Sequence, residues 1–304
     1  MEVNKSYICI MDGLLTYSVA GHLFGIQTPD KAVTRGILSS YASFTVENST
    51  ASDLLFCLKG NRQIDVPDIP CIDRLQWDIV DYHYYLTGQG LTVSMKHENR
   101  EHRLFASTGC QDIISDITFL SRNEALFINS FLRLAYGVTA VNYQTIKVHA
   151  SVIELDGKAL VFLGRSGTGK STHSRLWLQH IPGCTLLNDD EPILRNFEDG
   201  TVRVYGAPWS GSTPCYRNDW AEVAAIVHLY QSPDNNLSRL KPLEGLSSLY
   251  KSAALLRSDR ENKDKVLDVV TRVIERIPVY RLGCRPDHEA VLLTRGLLPM
   301  EWDS

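Results

Sequence analysis

Over the first 120 residues, apolar positions recur with period two in short runs. Residues 43–46 and 91–95 alternate polar and apolar side chains, 6–11 and 54–58 are short and largely apolar, and polar turns separate the four runs. That spacing sends successive side chains to opposite faces and predicts strands. Residues 1–120 therefore read as a β-rich or α+β N-terminal domain. Residues 78–86 are dense in aromatics (Tyr82, Tyr84 and Tyr85, just after Trp77), and packing inside the domain explains them better than a ligand-stacking surface. The charged run His97-Glu98-Asn99-Arg100-Glu101-His102 lies between two strand-like runs. It reads as a solvated hairpin tip rather than a metal site.

At residue 121 the period changes. Ser121-Arg122-Asn123-Glu124 has the spacing of a capping box, in which serine and glutamate satisfy the first free amides of a helix. Leu126, Phe127, Phe131, Leu134, Ala135, Val138 and Val141 follow at helical spacing. They predict a helix over about 122–142, within a segment 121–144 that connects two domains. Beyond it the apolar runs become continuous. Residues 146–155 and 158–163 read as strands of a hairpin about Asp156-Gly157, a two-residue turn pair. A helix from Ser171 to His180, a break at Pro182-Gly183 and a strand over 184–187 come next, ending at Asn188-Asp189-Asp190. A second hairpin pairs 191–197 with 201–205, followed by a loop over 206–212 and a strand over 224–230. A turn at 232–236, helices over 245–256 and 263–276, a strand over 279–282 and a helix over 287–297 complete the pattern. Residues 145–304 thus read as a second, α/β domain.

Between the second strand and the helix lies Gly164-Arg165-Ser166-Gly167-Thr168-Gly169-Lys170-Ser171-Thr172, which fits G-x-x-x-x-G-K-[ST]. The glycines let consecutive amides face one concavity, the lysine reaches outer phosphates, and the next hydroxyl can hold magnesium. The positive end of the helix dipole favours the same anion. These nine residues are the candidate nucleotide-binding set. Phosphoryl transfer also needs a metal and a group that manages the nucleophile's proton. Asp189 and Asp190 follow Lys170 by 19 and 20 residues at the end of a strand. Strand ends in an α/β sheet meet at one crevice. One carboxylate there can meet the magnesium held by Ser171 while the other takes a proton. His149 lies in the strand paired with the one feeding the loop, where an imidazole near the transferred phosphoryl and a satisfied core histidine are both open readings. Gly206 and Gly211 bracket Pro208, Trp209 and Ser210 in a candidate substrate-covering loop, although Trp209 could equally anchor it to the core. Nothing selects Arg195 or Arg217 over ordinary surface arginines.

Composition narrows the class without changing this picture. The 304 residues are 44% hydrophobic and 22% charged, with a net charge of −4, so no overall basic field recruits nucleic acid. Seven scattered cysteines without a C-x-x-C pair suit reduced thiols in a cytoplasmic protein. The first residues do not read as a signal peptide, and no stretch approaches 18 uninterrupted apolar residues. No membrane or nucleic-acid partner is expected. Asn262-Lys263-Asp264 has the wrong spacing for a guanine-binding motif.

Val148-His149-Ala150-Ser151, the hairpin into residues 164–172 and Asn188-Asp189-Asp190 resemble the catalytic domain of the HPr kinase/phosphorylase family. That family is related in fold to the ATP-dependent phosphoenolpyruvate carboxykinases. The resemblance covers about residues 145–285 and implies a mixed-sheet catalytic domain built around a P-loop. It places ATP and magnesium at the site, with catalytic roles on His149, Lys170, Asp189 and Asp190 and metal ligation by Ser171 and Asp189. One aspartate would act on the acceptor hydroxyl, and self-association is implied as well. The chain departs from the family in lacking its downstream glycine-rich signature. In its place Gly206-Ala207-Pro208-Trp209-Ser210-Gly211 resembles the G-T-P-W-S-G segment of a looser group of HPr-kinase-like proteins, with Ala207 replacing threonine. The N-terminal region does not resemble the family's regulatory domain either. The expectation is therefore an ATP- and Mg-dependent kinase acting on a serine-type hydroxyl of a small molecule or peptide, with HPr a doubtful acceptor. The alternative is a catalytically silent nucleotide-binding regulatory protein.

Overall fold

The computed structural model describes residues 13–47, 53–77, 79–109, 112–211, 213–254, 256 and 259–299. The strand expected over 6–11 lies outside them. The chain forms two compact units, the first ending at Thr139 and the second beginning at Ala140. No described helix is long and apolar enough to cross a membrane.

The first unit contains β1 (Leu14–Val19), β2 (His22–Gln27), α1 (Lys31–Ile37), β3 (Thr45–Val46), β4 (Leu54–Lys59), β5 (Asp73–Trp77), β6 (Val80–Thr87), β7 (Gly90–His97), β8 (Arg100–Ser107), β9 (Asp112–Ser115) and α2 (Ala125–Ala140). Its strands form one mixed sheet in the order β3-β1-β2-β4-β9-β8-β7-β6-β5. The strand expected over 43–46 shrinks to two residues because Ser39–Phe44 winds as a 3-10 turn. Tyr41 and Phe44, three apart, are both buried by that winding. Tyr82 and Tyr84 are buried and stacked with centroids 6.3 Å apart, and the β7–β8 turn falls at Glu98-Asn99, inside the charged run, whose other residues pair across the two strands. The α2 helix starts at a capping box on Ser121 and Glu124. By its packing it belongs to this unit rather than standing between two domains. Tyr136 packs edge-on against Phe24, and its hydroxyl donates to Val19 O at 3.0 Å.

The second unit contains β10 (Thr145–Lys147), β11 (Ala150–Leu155), β12 (Lys158–Leu163), α3 (Lys170–His180), β13 (Thr185–Asp190), β14 (Ile193–Asn196), β15 (Val202–Tyr205), β16 (Trp220–Gln231), β17 (Asn236–Arg239), α4 (Pro242–Ser252), α5 (Arg260–Arg276), β18 (Val279–Cys284) and α6 (His288–Arg295). Its mixed sheet runs β10-β14-β15-β16-β12-β11-β13, with β18 on the far side of β16 and β17 beside β18. Alternate residues of β12 enter two cores. Ala159, Val161 and Leu163 pack with the residues of α4 and α5, while Leu160 and Phe162 pack with Trp177 of α3 and Val291 of α6. A sheet covered on both faces needs apolar residues at every position, which is why its strands read as continuous runs. The expected β11–β12 hairpin is present, with Asp156 at φ +52° and Gly157 at φ +75°.

Several boundaries differ from expectation, each for a local reason. The single strand expected over 146–155 is two, because the chain changes partners from β14 to β12 and β13 at Val148-His149. The strand expected to end at 187 continues through Asp190. The helix expected from 245 starts at Pro242, whose missing N–H is harmless in a first turn. The turn expected at 232–236 leads into β17, a short edge strand with weak patterning.

Candidate functional site

Four chain segments meet at the carboxyl end of β12. The 164–169 turn leaves β12 and opens α3 at Lys170. Gly169 caps the helix at φ +103° and no atom lies within 4 Å of where its Cβ would be, so backbone conformation and not crowding selects glycine there. The first-turn amides of α3 have no intrahelical partner by construction, and they line that mouth together with the positive end of the helix dipole. Thr168 Oγ1 donates to Arg165 O at 2.8 Å, and Gln231 Nε2, from the end of β16, donates to Gly167 O at 3.3 Å. Sequence patterning did not flag Gln231, because one polar residue ending a strand carries no signal.

Lys170 is only 8% exposed. Its Nζ donates to Gly164 O at 2.9 Å and lies 2.9 Å from His149 Nε2. Burial pulls the ammonium below its ordinary pKa, and the Asp189 and Asp190 carboxylates oppose that shift. An ammonium has only donors, so His149 Nε2 accepts and the ring proton sits on Nδ1. His149 Nδ1 lies 3.4 Å from Asp190 Oδ1. A Lys170–His149–Asp190 series therefore runs across the sheet edge, with side-chain exposures of 29% for His149 and 15% for Asp190.

Asp189, 5% exposed, faces the other way. Neighbouring residues on a strand project to opposite faces. Asp189 pairs in register with Ser151, whose Oγ meets Ser174 of α3 at 2.7 Å, whereas Asp190 pairs with Ala150 on the α4 face. Ser171 Oγ donates to Asp189 Oδ1 at 3.0 Å. That hydroxyl and carboxylate are two hard oxygen donors side by side. Among the described residues no cluster of three or more His, Cys, Asp or Glu is placed to hold a metal alone. Two protein oxygens suit magnesium, which keeps several waters and takes phosphate oxygens as further ligands.

Two connections running side by side hold these groups. Val148 N–H donates to Pro192 O at 3.1 Å, so the β10–β11 and β13–β14 crossings lie together. His149 N–H donates to Ser252 O at the end of α4. Beside them Lys147 and Glu191 form a buried ion pair at 3.1 Å. The 206–211 segment closes on the same point: Gly211 N–H donates to Asp189 O at 2.9 Å, and a Cβ at Gly211 would sit 3.0 Å from that oxygen. Of the two open readings of Trp209, its burial fits the anchor. Trp209 is 4% exposed and its Nε1 donates to Glu191 O at 2.8 Å, while its carbonyl accepts from Asn188 Nδ2 at 3.2 Å. The indole anchors the loop, leaving Pro208, Ser210 and Gly211 as its turn. Arg217 is structural too, donating to Thr185 Oγ1 and Leu186 O and pairing with Asp219. Arg195 stacks on Phe197.

No protein-family model and no curated protein matches the chain. Among solved structures it is similar to the Hpr(Ser) kinase/phosphatase from Coxiella burnetii, at 16% identity, with a TM-score of 0.29 over 50% of this chain and 92% of that one. A likeness of that degree is distant, and the chemistry of the site is read from its own side chains.

Proposed function

We propose that this protein is an ATP- and magnesium-dependent kinase that transfers a phosphoryl group to a serine-type hydroxyl of a small molecule or peptide. The observation that carries the reading is the joint placement of Lys170, His149 and Asp190 on one side of a glycine turn and of Ser171 and Asp189 on the other. The turn amides and Lys170 balance the charge of the phosphates, as preorganised donors do in other phosphoryl transfers. Ser171 and Asp189 are the ligands for magnesium, which would neutralise negative charge on the phosphate oxygens when bound. Asp190 accepts the proton of the acceptor hydroxyl, whose oxygen then bonds to the outer phosphorus as the bond to the departing diphosphate breaks. His149 holds Asp190 and Lys170 in line and keeps a ring proton facing the carboxylate. Residues 140–304 supply every one of these groups.

The test is incubation with γ-labelled ATP and magnesium against a panel of free hydroxyl metabolites and peptides. Lys170→Ala is expected to lose all label transfer. Asp190→Asn is expected to bind ATP normally while turnover drops about 10²–10⁴-fold, the range for a removed general base. An Asp190→Asn enzyme with full activity would sink the assignment of the base. Binding of ATP with no labelled product from any hydroxyl would instead favour a silent regulator.

A further inference from the structure

One cross-strand row passes through the site and continues beyond it. In register, Asp190 of β13 faces Ala150 of β11, Ala150 faces Leu163 of β12, Leu163 faces His228 of β16, and His228 faces Arg281 of β18. Residues directly opposite one another share a face of the sheet. Ala150 and Leu163 pack under α4 and α5, so the whole row lies on that side. His149 immediately precedes this row and Gly164 immediately follows it. The row therefore has an acidic end at Asp190, the phosphate turn at its middle and a basic end at Arg281.

The basic end is a cluster. His228 Nδ1 lies 2.6 Å from Ser248 Oγ of α4, and Lys251 sits one helical turn further along the same helix. Burial first, and then the charges of Arg281, Lys251, Lys170 and Arg165, depress the His228 pKa. These four cations thus act on one imidazole. Other arginines of this unit do have carboxylate partners, as in Arg217–Asp219, Arg272–Asp268 and Arg285–Glu289. Among the described residues no carboxylate lies within ion-pair distance of Arg165, Lys251 or Arg281. A concentration of uncompensated positive charge attracts an oxyanion.

Direction along the row selects which oxyanion. If the outer phosphoryl lies against Asp190 and His149, the rest of the donor extends from Gly164 away from them, over β16 toward β18. That distance is two strand spacings, about 10 Å, within reach of the exposed Arg281 and Lys251 side chains. We propose that Arg281, Lys251 and Arg165, ranged around His228, form a second oxyanion subsite that takes the inner phosphate of the donor. The donor is then a triphosphate chain and not pyrophosphate. This inference rests on the phosphate turn being the donor site, as in the kinase reading above.

Titration calorimetry with magnesium and three probes tests it: pyrophosphate, tripolyphosphate and a non-hydrolysable ATP analogue. Wild-type protein is expected to bind the two triphosphates at least tenfold more tightly than pyrophosphate. Arg281→Gln and Lys251→Gln are each expected to weaken both triphosphates roughly tenfold, the loss of a charged hydrogen bond, and to leave pyrophosphate unchanged. Both side chains are exposed, so unfolding midpoints should not move. Equal wild-type affinity for pyrophosphate and tripolyphosphate would overturn the subsite, as would variants that keep the wild-type ratio. Those outcomes leave the phosphate turn intact. Failure of all three probes to bind wild-type protein would remove the turn as the donor site and this inference with it.

Discussion

Tyr17 carries its hydroxyl into the aromatic core of the first unit, against Phe24 and Tyr41 at 5.8 and 5.2 Å. Among the described residues its Oη has no hydrogen-bond partner. Burial raises its pKa to about 12, with Arg35 opposing. The folded chain therefore keeps a proton that the unfolded chain loses near pH 10. The stability tied to that proton is complete below pH 10 and is lost as pH rises toward 12, by roughly 2–3 kcal/mol. Tyr17→Phe keeps the ring and removes the titration. Urea unfolding between pH 8 and 11.5 should show a flatter alkaline limb for the variant, and at pH 7 equal stability or a gain of about 1 kcal/mol. At the site, Asp189 and Asp190 look interchangeable in sequence, yet they sit on opposite faces of β13 and meet different partners. Asp189→Asn should weaken nucleotide binding chiefly when magnesium is present, whereas Asp190→Asn should not; titration with and without magnesium separates the two. The glycine turn with Lys170 and Ser171 was legible as a contiguous motif, and the aspartate pair as the end of a predicted strand 19 and 20 residues further on. His149 was only half legible, because it belongs to no contiguous motif and strand pairing sets its place beside Lys170.

Among elements, α3 has the most at stake, since its first turn is the mouth of the site. It is pinned to α6 through one hydroxyl. Thr294 Oγ1 donates within its own helix to Val291 O and lies 2.9 Å from Trp177 Nε1 and 3.1 Å from His173 Nε2. With its proton committed, that oxygen accepts from both rings. Thr294→Val should leave two buried N–H groups without this partner and cost roughly 2–4 kcal/mol in denaturant unfolding. Elements with long patterned runs, such as α2, α3, β11 and β12, were visible in the sequence. The break at Val148-His149 was not, because periodicity cannot register a change of strand partner. The burial of Trp209 was equally hidden: its anchor is a backbone oxygen of Glu191, and backbone groups carry no sequence signal.

For the whole molecule, two units with separate cores predict a localised response to ligand. On addition of a non-hydrolysable ATP analogue with magnesium, hydrogen exchange should slow in β12, α3 and β13, with β1 to β9 as the internal reference. At a hundredfold excess over Kd, the gain in the second unit should approach 2.7 kcal/mol. Uniform protection of both units would argue against a cradle confined to residues 164–172. The sequence alone determined two domains of different texture, a glycine-rich turn between a strand and a helix, and a carboxylate pair downstream, because each of those signals is contiguous in the chain. Tertiary structure alone decided which carboxylate faces Ser171 and which faces His149, that Trp209 is an anchor, and that Arg281 falls in one row with Asp190. Each of those depends on strand order and register, which join residues far apart in the chain and so leave no periodic trace in it.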